Sequence, residues 1–133
     1  LGSLGVGAYF RPKNDIEVGG RKVSGSAQLI SRGSVLHHGT VLVDTDTASM
    51  DALLKVDRSK RPTITKPSDR IVTLASILGR RPDMDSVKES ISRELASAFS
   101  CSFEKSPLAA KENALVRRLV AERYGRKDWN FKL

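Results

Sequence analysis

The chain has 133 residues, 39% of them apolar and 29% charged, with a net charge of +8 at pH 7. That length holds one modest core at most and excludes a two-domain enzyme. No apolar run approaches the roughly 20 residues of a membrane span, and no charged start followed by an apolar stretch marks a secretory leader. The one cysteine, Cys101, excludes an internal disulfide framework and points to a reducing compartment, the cytoplasm. The basic excess is uneven. Half of it falls in residues 55–70, where Lys55, Arg58, Lys60, Arg61, Lys66 and Arg70 face only Asp57 and Asp69. A basic stretch of this kind is either a solvated surface or the binding site of a phosphate-bearing partner.

In chain order, Leu1 to Gly7 has no initiator methionine and no cap, and is expected to be the tail of a helix and a turn cut from something longer. Asn14 to Val18 alternates polar and apolar residues. Gly19-Gly20 supplies the positive φ angles of a two-residue hairpin turn, and Arg21 to Ile30 returns as a second strand. Arg32-Gly33-Ser34 is a second turn and Val35 to Asp44 a third strand, so residues 1–46 predict a three-stranded antiparallel meander. Thr47 can cap a short helix to about Lys55 that buries Met50, Leu53 and Leu54. Residues 55–70 lose periodicity and hold two prolines, the pattern of an exposed loop. Ser68 can cap a helix carrying Ile71, Leu74 and Leu78 and stopped by Gly79. The region 84–133 is helical. Val87, Ile91, Leu95 and Phe99 recur every four residues behind a cap at Asp83 or Asp85. Ser106-Pro107 can start another helix, with Leu108, Leu115, Leu119 and Val120 as its stripe and Gly125 as its end.

Four groups of residues can carry chemistry. Spacing in a regular strand places Lys22 and Ser24 on one face. Gly25 admits a ligand or another backbone at close range, and Ser26 and Ala27 keep the surface open. A lysine beside accessible backbone amides can grip a carboxylate or phosphate; it can equally be an exposed lysine on a hairpin with a bulge at Gly25. His37 and His38 face opposite ways on a strand, so they cannot form a paired metal site. Asn14-Asp15 can hold a phosphate-bound Mg²⁺ or serve only as turn residues. The basic stretch 55–70 can close over an anion. Cys101 has no histidine near it in sequence to activate a thiolate.

Taken in order, Arg11-x-x-Asn14-Asp15-Ile16, Arg21-Lys22-Val23-Ser24-Gly25-Ser26-Ala27 and Leu36-His37-His38-Gly39-Thr40-Val41-Leu42-Val43-Asp44-x-Asp46 resemble lipoate-protein ligase A. Ser68 to Leu74, and Tyr124 with Trp129-Asn130-Phe131, extend the similarity more loosely. The resemblance implies an α+β fold of the biotin/lipoate ligase and class II synthetase type, an antiparallel-leaning sheet with helices on one face. It implies activation of lipoate by ATP and Mg²⁺ to lipoyl-adenylate, then transfer to a lysine of an acceptor protein. Acceptors in the family are 2-oxo acid dehydrogenase acyltransferase subunits and the glycine-cleavage H protein. Lys22 matches the family's essential lysine. Ser24, Gly25, Ser26, Ala27, His38, Gly39 and Thr40 match the lining of the lipoyl and adenylate pocket. Asn14 and Asp15 match the phosphate and metal side, with Asp15 as the Mg²⁺ ligand. Residues 55–70, with Lys60, Arg61 and Lys66, match the adenylate-covering loop.

The family's Arg-Arg…Gly-Gly-Gly…His-Asp segment and its C-terminal accessory domain have no counterpart in these residues, so 1–133 corresponds to the C-terminal part of a catalytic domain. The resemblance thus leaves three readings: a fragment, one of two pieces whose separate partner chain completes the site or supplies the accessory part, or part of a longer enzyme. Octanoyltransferases of the same superfamily use a cysteine that would fall near Tyr9-Phe10, where there is none, so the ATP-dependent ligase is favoured. The alternatives are an octanoyltransferase and a non-catalytic basic subunit that binds an acceptor protein or nucleic acid. Nucleic acid is disfavoured, because aromatics are 5% of the chain and none interleaves the basic stretch as a stacking platform requires.

Overall fold

The computed structural model describes residues 1–56 and 63–132. They form two compact units, Leu1–Ser100 and one starting at Cys101.

In the first unit a 3₁₀ turn, Gly2–Leu4, is closed by Gly5 in the left-handed region (φ 76°). Four strands follow: β1 (Tyr9–Arg11), β2 (Asp15–Val18), β3 (Arg21–Ser31) and β4 (Ser34–Val41). They pair in chain order, each antiparallel to the next. The expected meander of three strands therefore has a fourth at its edge. Three residues are too few for β1 to show an alternation in sequence. The Gly19-Gly20 turn is of the kind anticipated; the second turn is Arg32-Gly33 alone, with Ser34 already in β4. Gly19 and Gly20 lie at φ 56° and 75°, and Arg32 and Gly33 at 50° and 74°, the paired positive angles whose twist matches that of the flanking strands.

The third expected strand stops at Val41 rather than Asp44. Beyond it the backbone turns to other partners. The Leu42 N–H donates to the Val23 carbonyl (2.9 Å), while the Leu42 and Val43 carbonyls accept from Leu74 and Ala75 (2.8 Å each). The segment after the basic stretch thus lies against the paired end of the β3–β4 hairpin. Ile71 forms a parallel bridge with Lys22, and Val72 N–H donates to the Lys22 carbonyl at 2.9 Å. The small core sits at this junction. Val6, Val23, Val72, Leu74 and Val87 are buried, ringed by partly buried residues that include Leu4, Ile16, Val18, Val41 and Ile77.

Helix α1 (Thr47–Leu53) is capped by Asp46 rather than Thr47, since the Asp46 carboxylate accepts from the Ala48 and Ser49 N–H groups. It buries no residue, and Leu53 is 81% exposed, against the expectation of an apolar face. The helix expected from Ser68 divides in two. Pro67–Arg70 is a 3₁₀ turn held to α1 where Asp51 accepts from Ser68 N–H (2.8 Å), and α2 (Leu74–Leu78) begins separately, capped by the Thr73 hydroxyl. Gly79 ends α2 in the left-handed region as anticipated. Helix α3 (Met84–Phe99) starts at Asp83, whose carboxylate accepts from Ser86 N–H. Its stripe is buried only at the start, where Val87 is 2% exposed and Ser90 bonds Ser3 (2.7 Å); by Phe99 exposure has risen to 72%.

The second unit contains α4 (Ala110–Leu119), continued by a wide turn over Val120–Tyr124, and α5 (Lys127–Asn130). Helix α4 starts three residues after Pro107 because the Glu112 carboxylate takes the Ala109 N–H (2.6 Å) and so fixes the first turn there. Gly125 closes the wide turn, as expected, through its N–H to the Val120 carbonyl. Arg123 lies 4.0 Å over the Trp129 ring, and Trp129 meets Tyr124 edge to face. Among the described residues no helix is long and apolar enough to cross a membrane.

Candidate functional site

The pairing of β2 with β3 is regular except at one point. Ile16 pairs with Ser24 and Glu17 with Lys22, so Val23 is an extra residue on β3. A bulge of this kind reverses the parity of the strand across it. Lys22 and Ser24 therefore do not share a face, contrary to the expectation from regular spacing, and the bulge is at Val23 rather than Gly25. Val23 and Ser24 are both buried, on the side of Ile16 and Val41. Lys22 instead lies over Gly25: a β-carbon added at Gly25 would overlap the Lys22 Nζ and Cε atoms. Gly25 pairs with Asp15 on one side and Thr40 on the other. The Lys22 ammonium meets Asp15 Oδ1 at 2.7 Å, with the two side chains 31% and 16% exposed.

Alternation along the strands puts Ala27 and His38, a register pair, next on this face. Asp15, Lys22, Gly25, Ala27, His38 and Thr40 thus occupy one side of the sheet. Ser24, Ser26 and Gly39 lie on the other, where Gly39 is paired with Ser26. Asn14 clasps β3: its amide donates to the Ser26 carbonyl (2.6 Å) and its own carbonyl accepts from Ser26 N–H (2.9 Å). Lys66 is an exposed residue before the Pro67–Arg70 turn, where its N–H donates to Asp69. Lys60 and Arg61 lie outside the described residues. Cys101 is exposed and belongs to the second unit.

Sequence reasoning missed a second charged group on the same side. Glu17, 5% exposed, accepts from Arg11 Nη1 (2.7 Å) and from the Tyr9 hydroxyl (3.0 Å). The Arg11 guanidinium holds the Glu17 carboxyl below its ordinary range, and Glu17 in turn raises both Arg11 and Tyr9. The period of two in Tyr9/Arg11 and in Asp15/Glu17 was the available signal. With Glu17 already neutralised by Arg11, Lys22 has Asp15 as its carboxylate partner at contact distance.

Among the described residues no three His, Cys, Asp or Glu side chains gather as a metal site. Asp15 is a single carboxylate, which suits only a Mg²⁺ that arrives with phosphate oxygens and water as its other ligands. A cleft of about 400 Å³ lined by Leu1, Val6, Tyr9, Phe10 and Ile16 contains none of the predicted residues.

The chain is similar to known proteins in sequence and in fold. Residues 1–96 match the lipoyl protein ligase A/B catalytic domain. An octanoyltransferase, LipM of Brevibacillus brevis, is 32% identical over 120 residues, covering 89% of this chain and 44% of that protein. A bipartite lipoate-protein ligase of Thermoplasma acidophilum, studied with its E2 lipoyl domain, superposes with a TM-score of 0.78 at 25% identity, over 96% of this chain and 51% of that one. A lipoate-protein ligase A solved with ATP bound superposes with a TM-score of 0.72 at 26% identity, over 88% of this chain and 43% of that one. The chain spans less than half the length of the curated relatives it matches. The fold is thus that of lipoate-protein ligases, a mixed antiparallel sheet and helices. The match runs through the whole sheet and the face that carries Lys22, and the chain belongs to the lipoyl protein ligase A/B catalytic-domain family.

Proposed function

We propose that this chain is the part of an ATP-dependent lipoate-protein ligase that handles the reacting carboxyl and phosphate groups. The single observation that carries this is the Lys22 ammonium lying over Gly25, 2.7 Å from Asp15, on an open sheet face. Gly25 leaves room for an acyl-adenylate to approach the backbone, and Lys22 lies beside the place where the carboxyl oxygens and the α-phosphate would meet. In the first step the lipoate carboxylate attacks the α-phosphorus of ATP, and pyrophosphate leaves. In the second the acceptor lysine, as free amine, attacks the acyl carbon, AMP leaves with the bonding pair, and the nitrogen gives up one proton to the solvent. Negative charge grows on the phosphoryl oxygens in one step and on the acyl oxygen in the other, and a fixed cation stabilises both. Lys22 supplies that cation once an anion draws it from Asp15. Mg²⁺ would neutralise the nucleotide's phosphates, and Asp15, freed from Lys22, is the carboxylate that would hold it.

Ala27, His38 and Thr40 continue the same face and line the acyl chain's path. The basic stretch, including Lys60, Arg61 and Lys66, covers the adenylate. Lipoyl-acceptor proteins, such as 2-oxo acid dehydrogenase acyltransferase subunits and glycine-cleavage H protein, are the partners, and the cytoplasm is the compartment. An octanoyltransferase is the second reading, supported by the B. brevis relative. Against it, Tyr9-Phe10 offers no thiol.

The test is lipoate-dependent exchange of labelled pyrophosphate into ATP by the full-length protein. Exchange that falls at least 100-fold in Lys22→Ala, with folding intact, is the expected result. Octanoyl transfer that proceeds without ATP, or full exchange in Lys22→Ala, would overturn the assignment.

A further inference from the structure

Four charged side chains share one face of the sheet, and their ion pairs are crossed. By register Arg11 lies opposite Asp15, and Glu17 lies opposite Lys22. Directly opposite residues on one face are closer than diagonal ones, so the straight pairing is Arg11 with Asp15 and Lys22 with Glu17. The structure has the other pairing. Arg11 Nη1 reaches diagonally to Glu17 Oε1 at 2.7 Å, and the Lys22 ammonium reaches diagonally to Asp15 Oδ1 at 2.7 Å.

Two local features account for the crossing. Tyr9 stands opposite Glu17, and its hydroxyl donates to Oε2 at 3.0 Å, so both oxygens of this carboxylate are engaged from β1. Gly25, opposite Asp15, carries no side chain, and the end of Lys22 occupies the space that a β-carbon would need. The straight pairing would instead draw the ammonium to Glu17, two residues along β2 and away from Gly25.

The two carboxylates do not attract Lys22 equally. The Glu17 side chain is 6% exposed and that of Asp15 is 16% exposed. The drier carboxylate is the more costly one to leave without a cation, so an unpaired Glu17 would outcompete Asp15 for the lysine. Arg11 removes that competition. Its own side chain is 54% exposed, so its removal opens no cavity in the core.

We infer that Arg11 is a positioning residue: by neutralising Glu17 it leaves the Lys22 ammonium over Gly25. This rests on the role proposed for Lys22. Arg11 touches no reacting atom in this scheme and acts only through Glu17.

The test combines pyrophosphate exchange with crystal structures, both on the full-length protein, for Arg11→Ala and for Arg11→Ala with Glu17→Gln. Arg11→Ala should lower exchange about tenfold or more, and its structure should show Lys22 Nζ bonded to Glu17. The double variant should return the lysine to Asp15 and bring exchange to within about threefold of the parent. An arginine that bound the nucleotide would gain nothing from the second substitution, and one that only stabilised β1 would leave Lys22 on Asp15 throughout. Arg11→Gln keeps a donor for Glu17 while removing the cation, and replaces Arg11→Ala if that variant does not fold. Three results would overturn the inference: Lys22 still on Asp15 in the single variant, undiminished exchange in that variant, or equal loss in the single and double variants. Exchange that does not depend on Lys22 in the parent would instead sink the role proposed for Lys22, and the lysine's place in the two crystal structures would still decide the part played by Arg11.

Discussion

One hairpin has two unlike ends. At the near end, Lys22 and Val23 are bonded by distant residues as well as by their neighbours in the sheet: the Lys22 carbonyl holds Val72, the Val23 carbonyl holds Leu42, and Asn14 clasps Ser26. At the far end, residues 27–31 and 34–38 are exposed and, among the described residues, are strand partners of one another alone. The near end carries Lys22, Asp15 and Gly25. On the proposed function, the cation that meets a developing charge sits where non-local contacts fix the backbone. The far end is held by local pairing and turn geometry alone.

That contrast can be broken from the near end first. Leu74→Ala empties a fully buried position beside Leu42 and should cost about 2–5 kcal/mol, read from denaturant midpoints. Thr73→Ala removes the hydroxyl that accepts Ser76 N–H at 3.1 Å and should cost about 1 kcal/mol by the same measurement. Gly25→Ala is different in kind. The added methyl would overlap the end of the flexible Lys22 side chain and touch Asp15 Oδ1 at an ordinary 3.6 Å, with no backbone in the way, so folding should change by less than about 1 kcal/mol. Pyrophosphate exchange should nevertheless fall, because Lys22 is pushed off its place. Acid tests the Arg11–Glu17–Tyr9 group. The Glu17 carboxyl titrates below its ordinary 4.5, so its contribution is complete above that pH and is lost as pH falls through the lowered value. Thermal midpoints should drop below about pH 4.5, and less steeply in Glu17→Gln. The smallest effect belongs to the far end. Ile30→Ala, at a side chain 72% exposed, should stay within about 0.5 kcal/mol of the parent.

What could be read in advance follows the same division between local and non-local causes. Gly19-Gly20 and Arg32-Gly33 announce their turns because positive φ is a local demand. Asp83, Gly79 and Gly125 mark helix ends for the same kind of reason. Lys22 and Gly25 stood out as a motif. The bulge did not, because Val23 is an ordinary strand residue and only the count of residues on β2 makes it extra. The pairing of Lys22 with Asp15 and the Glu17 group depend on that register, so the motif's residues were visible while their faces were not. The bare side of Leu53 was missed because apolar spacing does not reveal whether anything lies opposite. The late start of α4 was missed because Pro107 suits a first helical position, whereas the Glu112 cap on Ala109 decides it.

The extra residue at Val23 also governs how this stretch can vary in length. Removing Val23 would restore a regular pleat in which Lys22 and Ser24, then adjacent, still face opposite ways; the lysine would keep its side, and the loss would be a fully buried side chain from the core. The Arg32-Gly33 turn, with no strand beyond its own pair to satisfy, can gain or lose residues without moving anything near Asp15. Among chains built on this plan, insertions and deletions should collect at 31–34 and be missing from 21–25. The residue that the strand ladder does not count is one that the core does.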